Sequence, residues 1–206
     1  MKLYIAPYAP NPRRATMFIA EKGITGIETV TLNLQEGEHR TPEFRKKSPL
    51  SQIPTLELDD GRCLTESRAI CQYLEALHPE PNLMGNDAFE RAFIEMWDRR
   101  MELLFTMPLM MWVRHGNPVL AAVEKNQNAE IAAVNQGQAM RMAKWLNDEL
   151  ATRQWIAGDR FTIADITAVC GMDFAKMMKW RPGEELPNLA RWRERINERP
   201  AGKVAA

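Results

Sequence analysis

The segment SQIPTLELDDGRCLTES, residues 51–67, constrains the fold more than any other part of the chain. The dipeptide Asp60-Gly61 follows a strand-like stretch, Thr55–Leu58, and is typical of a tight hairpin turn. A polar Thr-Glu-Ser run then precedes apolar residues with helical spacing. The segment therefore predicts an antiparallel hairpin that leads directly into a helix over Ser67–Leu77.

Strand and helix signals alternate through the first 80 residues. In chain order the segments are the strand Lys2–Ala6, the helix Arg13–Lys22, the strand Ile27–Leu32, the helix Pro42–Lys47, the hairpin and the helix after it. Residues 1–80 are therefore predicted to form an α/β domain with the order β-α-β-α-β-β-α.

A linker rich in proline, asparagine and glycine, PEPNLMGND at residues 79–87, follows this region. Beyond the linker, apolar residues recur at three- or four-residue steps and strand signals largely vanish. Residues 87–206 are therefore predicted to form an all-α helical bundle. Within this bundle the run FTIAD predicts a capping box, with Thr162 as N-cap and Asp165 in place of the usual glutamate.

Composition argues against several classes of partner. Lysine plus arginine and aspartate plus glutamate both number 27, so no net charge favours nucleic acid or an anionic membrane. No apolar run approaches bilayer length, and the first residues lack a signal-peptide pattern. The three scattered cysteines, Cys63, Cys71 and Cys170, have no metal-ligand spacing and indicate reduced thiols. We therefore expect a cytoplasmic protein without a metal site.

The dipeptide Ile53-Pro54 has two interpretations. Proline lacks an N–H, so Pro54 fits the start of an edge strand with an ordinary trans bond. In the alternative, a cis bond turns the chain abruptly and leaves the N–H and C=O of Ile53 facing outward. Those groups would then pair with another extended peptide as an added strand.

The run Thr65-Glu66-Ser67 also has two interpretations. In the first, Thr65 or Ser67 caps the following helix and Glu66 complements the helix dipole. In the second, exposed N–H groups and the Ser67 hydroxyl bind a carboxylate, while Glu66 pairs with an ammonium group. A carboxylate and an ammonium group on one carbon describe the end of a free α-amino acid.

Asn11-Pro12 predicts a helix start, with asparagine as N-cap and proline as the first helical residue. This structural role leaves the amide N–H donors of Asn11 available for chemistry. Together with the helix N-terminus, they would stabilise a thiolate and lower its pKa from about 8.5.

Two further regions keep a structural and a functional interpretation. His39 lies in a polar loop, where it is either solvated or a contact for a carboxylate. The stretch TMPLMMWVRH, residues 106–115, is either core filling or the wall of an adaptable apolar pocket. Pro108 within that stretch is expected to kink its helix.

Taken together, these segments resemble the glutathione S-transferase family over almost the whole chain. SPLSQIPTLELDDGRCLTES is similar to the glutathione-binding segment of the family, and FTIADI is similar to its folding motif in the second domain. The resemblance implies a thioredoxin-like first domain and an α-helical second domain that contributes a hydrophobic substrate pocket. It also implies a cytoplasmic, bacterial-type homodimer that acts in detoxification.

The resemblance implies roles for individual residues. Ile53 matches the residue whose backbone pairs with the cysteinyl part of glutathione, and Glu66 and Ser67 match the pair that holds the γ-glutamyl end. His39 and Gln52 match positions near the glycyl end. The complete glutathione-binding set is therefore His39, Gln52, Ile53, Pro54, Glu66 and Ser67.

The chain departs from the family pattern at the activating position. Many members place tyrosine, serine or cysteine after the first strand, whereas this chain has Asn11, as some bacterial and fungal subgroups do. Tyr8 and the main-chain N–H groups of Arg13 or Arg14 are alternative activators. The absence of cysteine at this position argues against a mixed-disulfide mechanism.

We therefore expect a glutathione transferase that uses glutathione as co-substrate and needs no metal. The thiolate would attack a small hydrophobic electrophile bound against Met107, Met111 and Trp112. A glutathione-dependent peroxidase or reductase would use the same site. A non-catalytic binding or dimerisation module with the same fold, or a carrier of hydrophobic compounds, is the remaining alternative.

Overall fold

A computed structural model of the protein describes residues 1–204. The chain forms two compact units. The first contains residues 1–81 together with the segment that begins at Pro200, and the second contains residues 82–199.

Within residues 1–204, the first unit holds four strands and three α-helices. Its elements are β1 (Lys2–Ile5), α1 (Pro10–Glu21), β2 (Glu28–Thr31), a 3₁₀ turn (Glu38–Arg40), α2 (Pro42–Lys47), β3 (Thr55–Glu57), β4 (Cys63–Leu64) and α3 (Ser67–Leu77). This order confirms the predicted β-α-β-α-β-β-α domain, and α3 has the predicted bounds.

The four strands form one mixed sheet in the order β2-β1-β3-β4. Strand β1 runs parallel to β2 and antiparallel to β3, where Tyr4 lies opposite Thr55. Because side chains alternate along a strand, the paired Leu3 and Leu56 face one side together, and both are fully buried. Tyr4 faces the opposite side, where its ring packs edge-on against Phe44 of α2 at 5.5 Å between ring centroids.

The predicted hairpin joins β3 to β4. Its turn is closed by a hydrogen bond from the Leu58 N–H to the Arg62 carbonyl at 2.8 Å. Gly61 has a φ of 84°, a conformation that glycine adopts without a side-chain clash. The dipeptide Asp60-Gly61 therefore sets the register that brings α3 back to the sheet.

Helix α1 begins earlier than predicted. Its N-cap is Ala9, which makes no side-chain capping bond, and Pro10 and Asn11 are its first two helical residues. The prediction of Asn11 as N-cap was therefore wrong. Because proline is favoured at the first helical position, Pro10 rather than Pro12 marks the start.

The second unit is helical throughout its regular structure, as predicted. Its elements are α4 (Ala88–Arg100), a π-helical turn (Met101–Thr106), α5 (Met107–Gly116), a 3₁₀ turn (Pro118–Ala122), α6 (Ala129–Glu149), α7 (Ile163–Ala175), a 3₁₀ turn (Lys176–Met178) and α8 (Pro187–Asn197). No helix within residues 1–204 is long and apolar enough to cross a membrane.

The π-helical turn lies directly before Pro108, which is within the first turn of α5. Proline cannot donate the main-chain hydrogen bond that a continuous α-helix needs, so the widened turn accommodates it. Thr106 holds this turn against α7 by donating from Oγ1 to the Thr167 carbonyl at 2.8 Å. Gly171 permits the close approach, since a Cβ there would lie 2.9 Å from the Cα of Thr106.

The predicted capping box at the start of α7 is present. The fully buried Asp165 carboxylate accepts hydrogen bonds from the Thr162 N–H at 2.9 Å and from the Ile156 N–H at 3.0 Å. It also accepts from the indole Nε1–H of Trp192 in α8 at 2.8 Å. One carboxylate therefore joins a helix start, the preceding loop and a second helix.

The compact units differ in one respect from the domains expected from sequence. The segment from Pro200 was placed in the helical domain, whereas in the structure it packs with the first unit. This segment contains a short 3₁₀ turn, Ala201–Lys203. The division at residues 80–87 into independent domains stays a prediction.

Replacing Asp165 with alanine is expected to lower the free energy of unfolding by about 3 kcal/mol or more, because several buried donors lose their acceptor. Denaturant unfolding followed by circular dichroism measures this loss. The exposed Asp159 provides a matched control, for which Asp159→Ala is expected to change stability by less than about 0.5 kcal/mol. Equal stability of the two variants would contradict the role of Asp165.

Candidate functional site

Three segments singled out from the sequence meet at one end of the sheet. Because Tyr4 lies opposite Thr55, the dipeptide before β3 lies beside the end of β1, where the chain leads into α1. Leu64 lies opposite Leu56, so continuing this antiparallel register brings Glu66 opposite Pro54. The starts of α1 and α3 and the dipeptide Ile53-Pro54 therefore lie at the same end of the sheet.

The backbone at Ile53 is free to bind an extended ligand. The Ile53-Pro54 peptide bond is cis. Neither the N–H nor the C=O of Ile53 has a hydrogen-bond partner among residues 1–204. An N–H and a C=O left free at the end of a strand are groups that another extended peptide would engage.

Helix α3 starts without a side-chain cap. Its N-cap residue, Glu66, has a φ of 63° and a ψ of 111°, which is an uncommon conformation for a residue with a side chain. The exposed Glu66 carboxylate makes no hydrogen bond or ion pair within the described part of the chain. Glu66 therefore combines an uncommon backbone conformation with an unpaired carboxylate beside the N-terminus of α3.

Ser67, the first residue of α3, directly follows Glu66 and is 4% exposed. Its Oγ accepts a hydrogen bond of 3.1 Å from Nη1 of the buried Arg14 in α1. A hydroxyl has one donor and two lone pairs, so this bond leaves the Ser67 O–H available to donate. Together with the uncapped helix end and the nearby guanidinium, it provides a site for an anion.

The sequence drew attention to the main-chain N–H of Arg14 but not to its side chain, which contacts Ser67. The spacing of apolar residues in α1 could have indicated that the Arg14 side chain is buried. Arg14 precedes the buried Met17 and Phe18 by three and four residues, so it lies on the same face of the helix. An arginine on an otherwise apolar face indicates a buried polar contact. The identity of that contact, Ser67, depended on how α1 and α3 pack.

The N-terminus of α1 offers one main-chain donor within its first turn. Pro10 and Pro12 have no N–H, and the Arg13 N–H donates to the Ala9 carbonyl at 3.1 Å. This bond argues against the Arg13 N–H as an activating group. The N–H of Asn11 and its side-chain amide have no partner within residues 1–204.

Tyr8 lies in the loop before α1. Its φ is 63°, and its side chain is 73% exposed. The phenol makes no hydrogen bond with any described residue. Its position beside the start of α1 keeps it as an alternative to Asn11.

Of the two residues assigned to the glycyl end, His39 lies in a separate segment, whereas Gln52 directly precedes Ile53. His39 is in the 3₁₀ turn before α2, and its Nε2 accepts from Nε of Arg40 at 3.2 Å. Burial and the neighbouring Arg40 charge lower the pKa of His39, so a neutral imidazole is favoured. Gln52 is exposed, while its main-chain N–H donates to Oγ of the buried Ser48 at 3.0 Å.

The apolar candidates on α5 differ in exposure. Met107 is 45% exposed, and Met111 is partly exposed. The ring of Trp112 is 6% exposed and packs inside the helical unit. Met107 and Met111 are therefore the more accessible side chains, although all three stay candidates.

Comparison with known proteins places this architecture in a defined class, a thioredoxin-like domain followed by a helical domain. A model described as "Glutathione S-transferase, N-terminal domain" matches residues 3–82. A second, "Glutathione S-transferase, C-terminal domain", matches residues 110–200.

The chain is 36% identical to Glutathione S-transferase 2 of Saccharomyces cerevisiae over 205 residues, which covers 98% of this chain and 88% of that protein. This chain therefore belongs to the glutathione S-transferase family. A glutathione S-transferase domain-containing protein of Marinobacter aquaeolei VT8 has a similar structure, with a TM-score of 0.93, 36% identity and coverage of 98% of this chain and all of that chain. A glutathione S-transferase of Methylobacillus flagellatus KT, solved with GSH bound, has a TM-score of 0.83, 25% identity and coverage of 98% and 96%.

Proposed function

We propose that this protein is a glutathione transferase that binds glutathione at the end of the sheet beside Ile53. The observation that carries the proposal is the meeting of three sets of unpartnered groups at one end of the sheet. These are the backbone of Ile53, the carboxylate of Glu66 and the donors at the start of α1. A tripeptide with an α-amino acid terminus and a thiol is complementary to all three.

The γ-glutamyl end supplies the two charges that the start of α3 is built to bind. Its ammonium group pairs with the free Glu66 carboxylate, and its carboxylate accepts from the Ser67 hydroxyl. Arg14 supports this arrangement because its guanidinium occupies a lone pair of the Ser67 oxygen. The cysteinyl backbone then pairs with Ile53, while His39 and Gln52 lie toward the glycyl end.

The sulfur lies at the start of α1 in this proposal. Donors at a helix N-terminus stabilise a thiolate relative to a thiol and so lower the thiol pKa. The amide and the main-chain N–H of Asn11 supply those donors, since no other main-chain N–H in the first turn is free. Asn11 acts electrostatically and is not a base, so the thiol proton leaves to solvent.

The thiolate then attacks a hydrophobic electrophile, forming a carbon–sulfur bond while the leaving group carries away the displaced electron pair. Met107 and Met111 offer an adaptable apolar surface for this second substrate, and Trp112 supports it from the core. Holding both reactants in place supplies much of the rate, and thiolate stabilisation supplies the remainder.

The alternatives differ in measurable ways. A glutathione-dependent peroxidase would bind glutathione and turn over peroxides, and a reductase would cleave aromatic ethers or halides without leaving a stable glutathione conjugate. A non-catalytic module is favoured by one observation, namely the absence of a hydroxyl or thiol at position 11. Retention on a glutathione column, followed by turnover assays with an aryl halide and a peroxide, separates these functions.

We also propose a cytoplasmic homodimer that acts in detoxification, as the family resemblance implies. Leu50 and Phe89 are apolar side chains that are 76% and 78% exposed and that a second copy would cover. Light scattering coupled to size-exclusion chromatography tests the dimer directly.

Glu66→Ala is expected to weaken glutathione binding by about ten- to a hundredfold, because the ligand ammonium loses a charged partner. Isothermal titration calorimetry measures the dissociation constant. Glu36→Ala, which removes another exposed glutamate from the same unit, is the control and is expected to bind normally. Unchanged binding by the Glu66 variant would remove the main support for the proposed binding mode.

Asn11→Ala is expected to reduce kcat by about a hundredfold while leaving the glutathione dissociation constant within about twofold, as for a lost oxyanion donor. Steady-state turnover of an aryl halide, together with calorimetry, separates the two effects. Tyr8→Phe is the companion variant and is expected to retain activity. A loss of activity in Tyr8→Phe but not in Asn11→Ala would transfer the activating role to Tyr8.

A further inference from the structure

The last described segment of the chain lies along helix α1. Residues 201–203 form a 3₁₀ turn, and Ala201 is completely buried. This segment contacts α1 and belongs to the same compact unit as the candidate glutathione site. It is therefore part of the scaffold on which α1 rests.

Two hydrogen bonds fix the segment to opposite ends of α1. The Ala201 N–H donates to Oε2 of Glu21, in the last turn of the helix, at 3.2 Å. Nη1 of Arg13, in the first turn, donates to the Val204 carbonyl at 3.0 Å. The two attachments are eight positions apart along the helix, a rise of about 12 Å. The segment therefore runs antiparallel to α1, toward its N-terminus.

The attachment at Arg13 matters because the first turn of α1 has little internal support. Its N-cap residue, Ala9, provides no side-chain acceptor for the N–H groups at the helix start. Helix ends that lack a cap are prone to fray. The Arg13 side chain, 8% exposed, links this turn to the main chain at Val204, which is partly exposed.

We propose that Arg13 is a positioning residue that holds the first turn of α1 in place and thereby aims the donors of Asn11 at the glutathione sulfur. Asn11 precedes Arg13 by two residues, so a shift of this turn moves the sulfur-binding donors directly. The groups that hold the γ-glutamyl end, Glu66 and Ser67, lie on α3 and keep their places. This role rests on the proposed function, and it assigns to the segment from Pro200 a part in thiolate stabilisation.

Replacing Arg13 is expected to change kcat and the thiol pKa but not the affinity for glutathione. Arg13→Met is expected to raise the pKa of the bound glutathione thiol by about one unit and to lower kcat about tenfold, because misplaced donors stabilise the thiolate less well. The glutathione dissociation constant is expected to stay within about twofold. Arg13→Lys retains a cation and a donor of similar reach and is expected to restore most of the activity.

Lys22→Met is the matched control. Lys22 is a buried cation at the opposite end of α1, where its Nζ contacts Glu75 at 2.6 Å and the Pro81 carbonyl at 2.7 Å. Replacing Lys22 removes a buried ion pair at the C-terminal end of α1 and leaves the first turn of the helix unchanged. Its melting temperature is expected to fall, while the pKa of the bound thiol is expected to match that of the wild-type protein.

Two measurements test the proposal. Hydrogen exchange of residues 9–16 without ligand is expected to be about tenfold faster in Arg13→Met than in the wild-type protein, and unchanged in Lys22→Met. Ultraviolet titration of the bound thiolate, performed on all four proteins, gives the thiol pKa.

The outcomes distinguish the two levels of the hypothesis. If the wild-type protein binds no glutathione thiolate, the proposed function is wrong, and the role of Arg13 falls with it. If the wild-type protein forms the thiolate and Arg13→Met shows the same thiol pKa, only the role of Arg13 is wrong. Equal shifts in Arg13→Met and Lys22→Met would also overturn it, since loss of stability alone would then explain both.

Discussion

The antiparallel pairing of β1 with β3 decides where every candidate group in the first unit lies. With Tyr4 opposite Thr55, the end of β1 and the start of β3 meet, so the loop to α1 runs beside Ile53. The hairpin then returns the chain along β4, so α3 starts at the same end of the sheet. A shift of one residue in this register would place the buried Leu3 and Leu56 on opposite faces of the sheet, so burial of the core also fixes the site.

Helix α1 connects the proposed binding and activating groups through neighbouring arginines. Arg14 reaches Ser67 at the start of α3, whereas Arg13 reaches the main chain at Val204. Both side chains are buried, and each ties the same helical turn to a different part of the unit. The first turn, which lacks a cap of its own, is therefore held from outside by tertiary contacts, and Asn11 lies within that turn.

Much of the fold was predictable because its signals are local. The Asp60-Gly61 turn, the start of α3 at Ser67 and the capping box of Thr162 and Asp165 each depend on residues a few positions apart, and all three are present. The start of α1 was placed wrongly because two prolines compete for the first helical position, and the sequence alone favoured the one after asparagine. Pro108 predicted an irregularity in its helix, and a π-helical turn lies just before it. The form of this turn depends on the close contact of Thr106 with Gly171 of α7.

By itself the sequence determined the order of the elements, the family resemblance and which residues carry suitable chemistry, because periodicity, turn dipeptides and side-chain type are properties of the chain. It contained Glu66, Ser67, Ile53 and Asn11 without showing that they share one end of a sheet. Only the tertiary structure decided that the Ile53 backbone and the Glu66 carboxylate stay unpartnered within residues 1–204, and that Arg14 reaches Ser67. The physical reason is that hydrogen bonding and burial depend on neighbours distant in sequence, 53 residues apart for Arg14 and Ser67 and 191 for Arg13 and Val204.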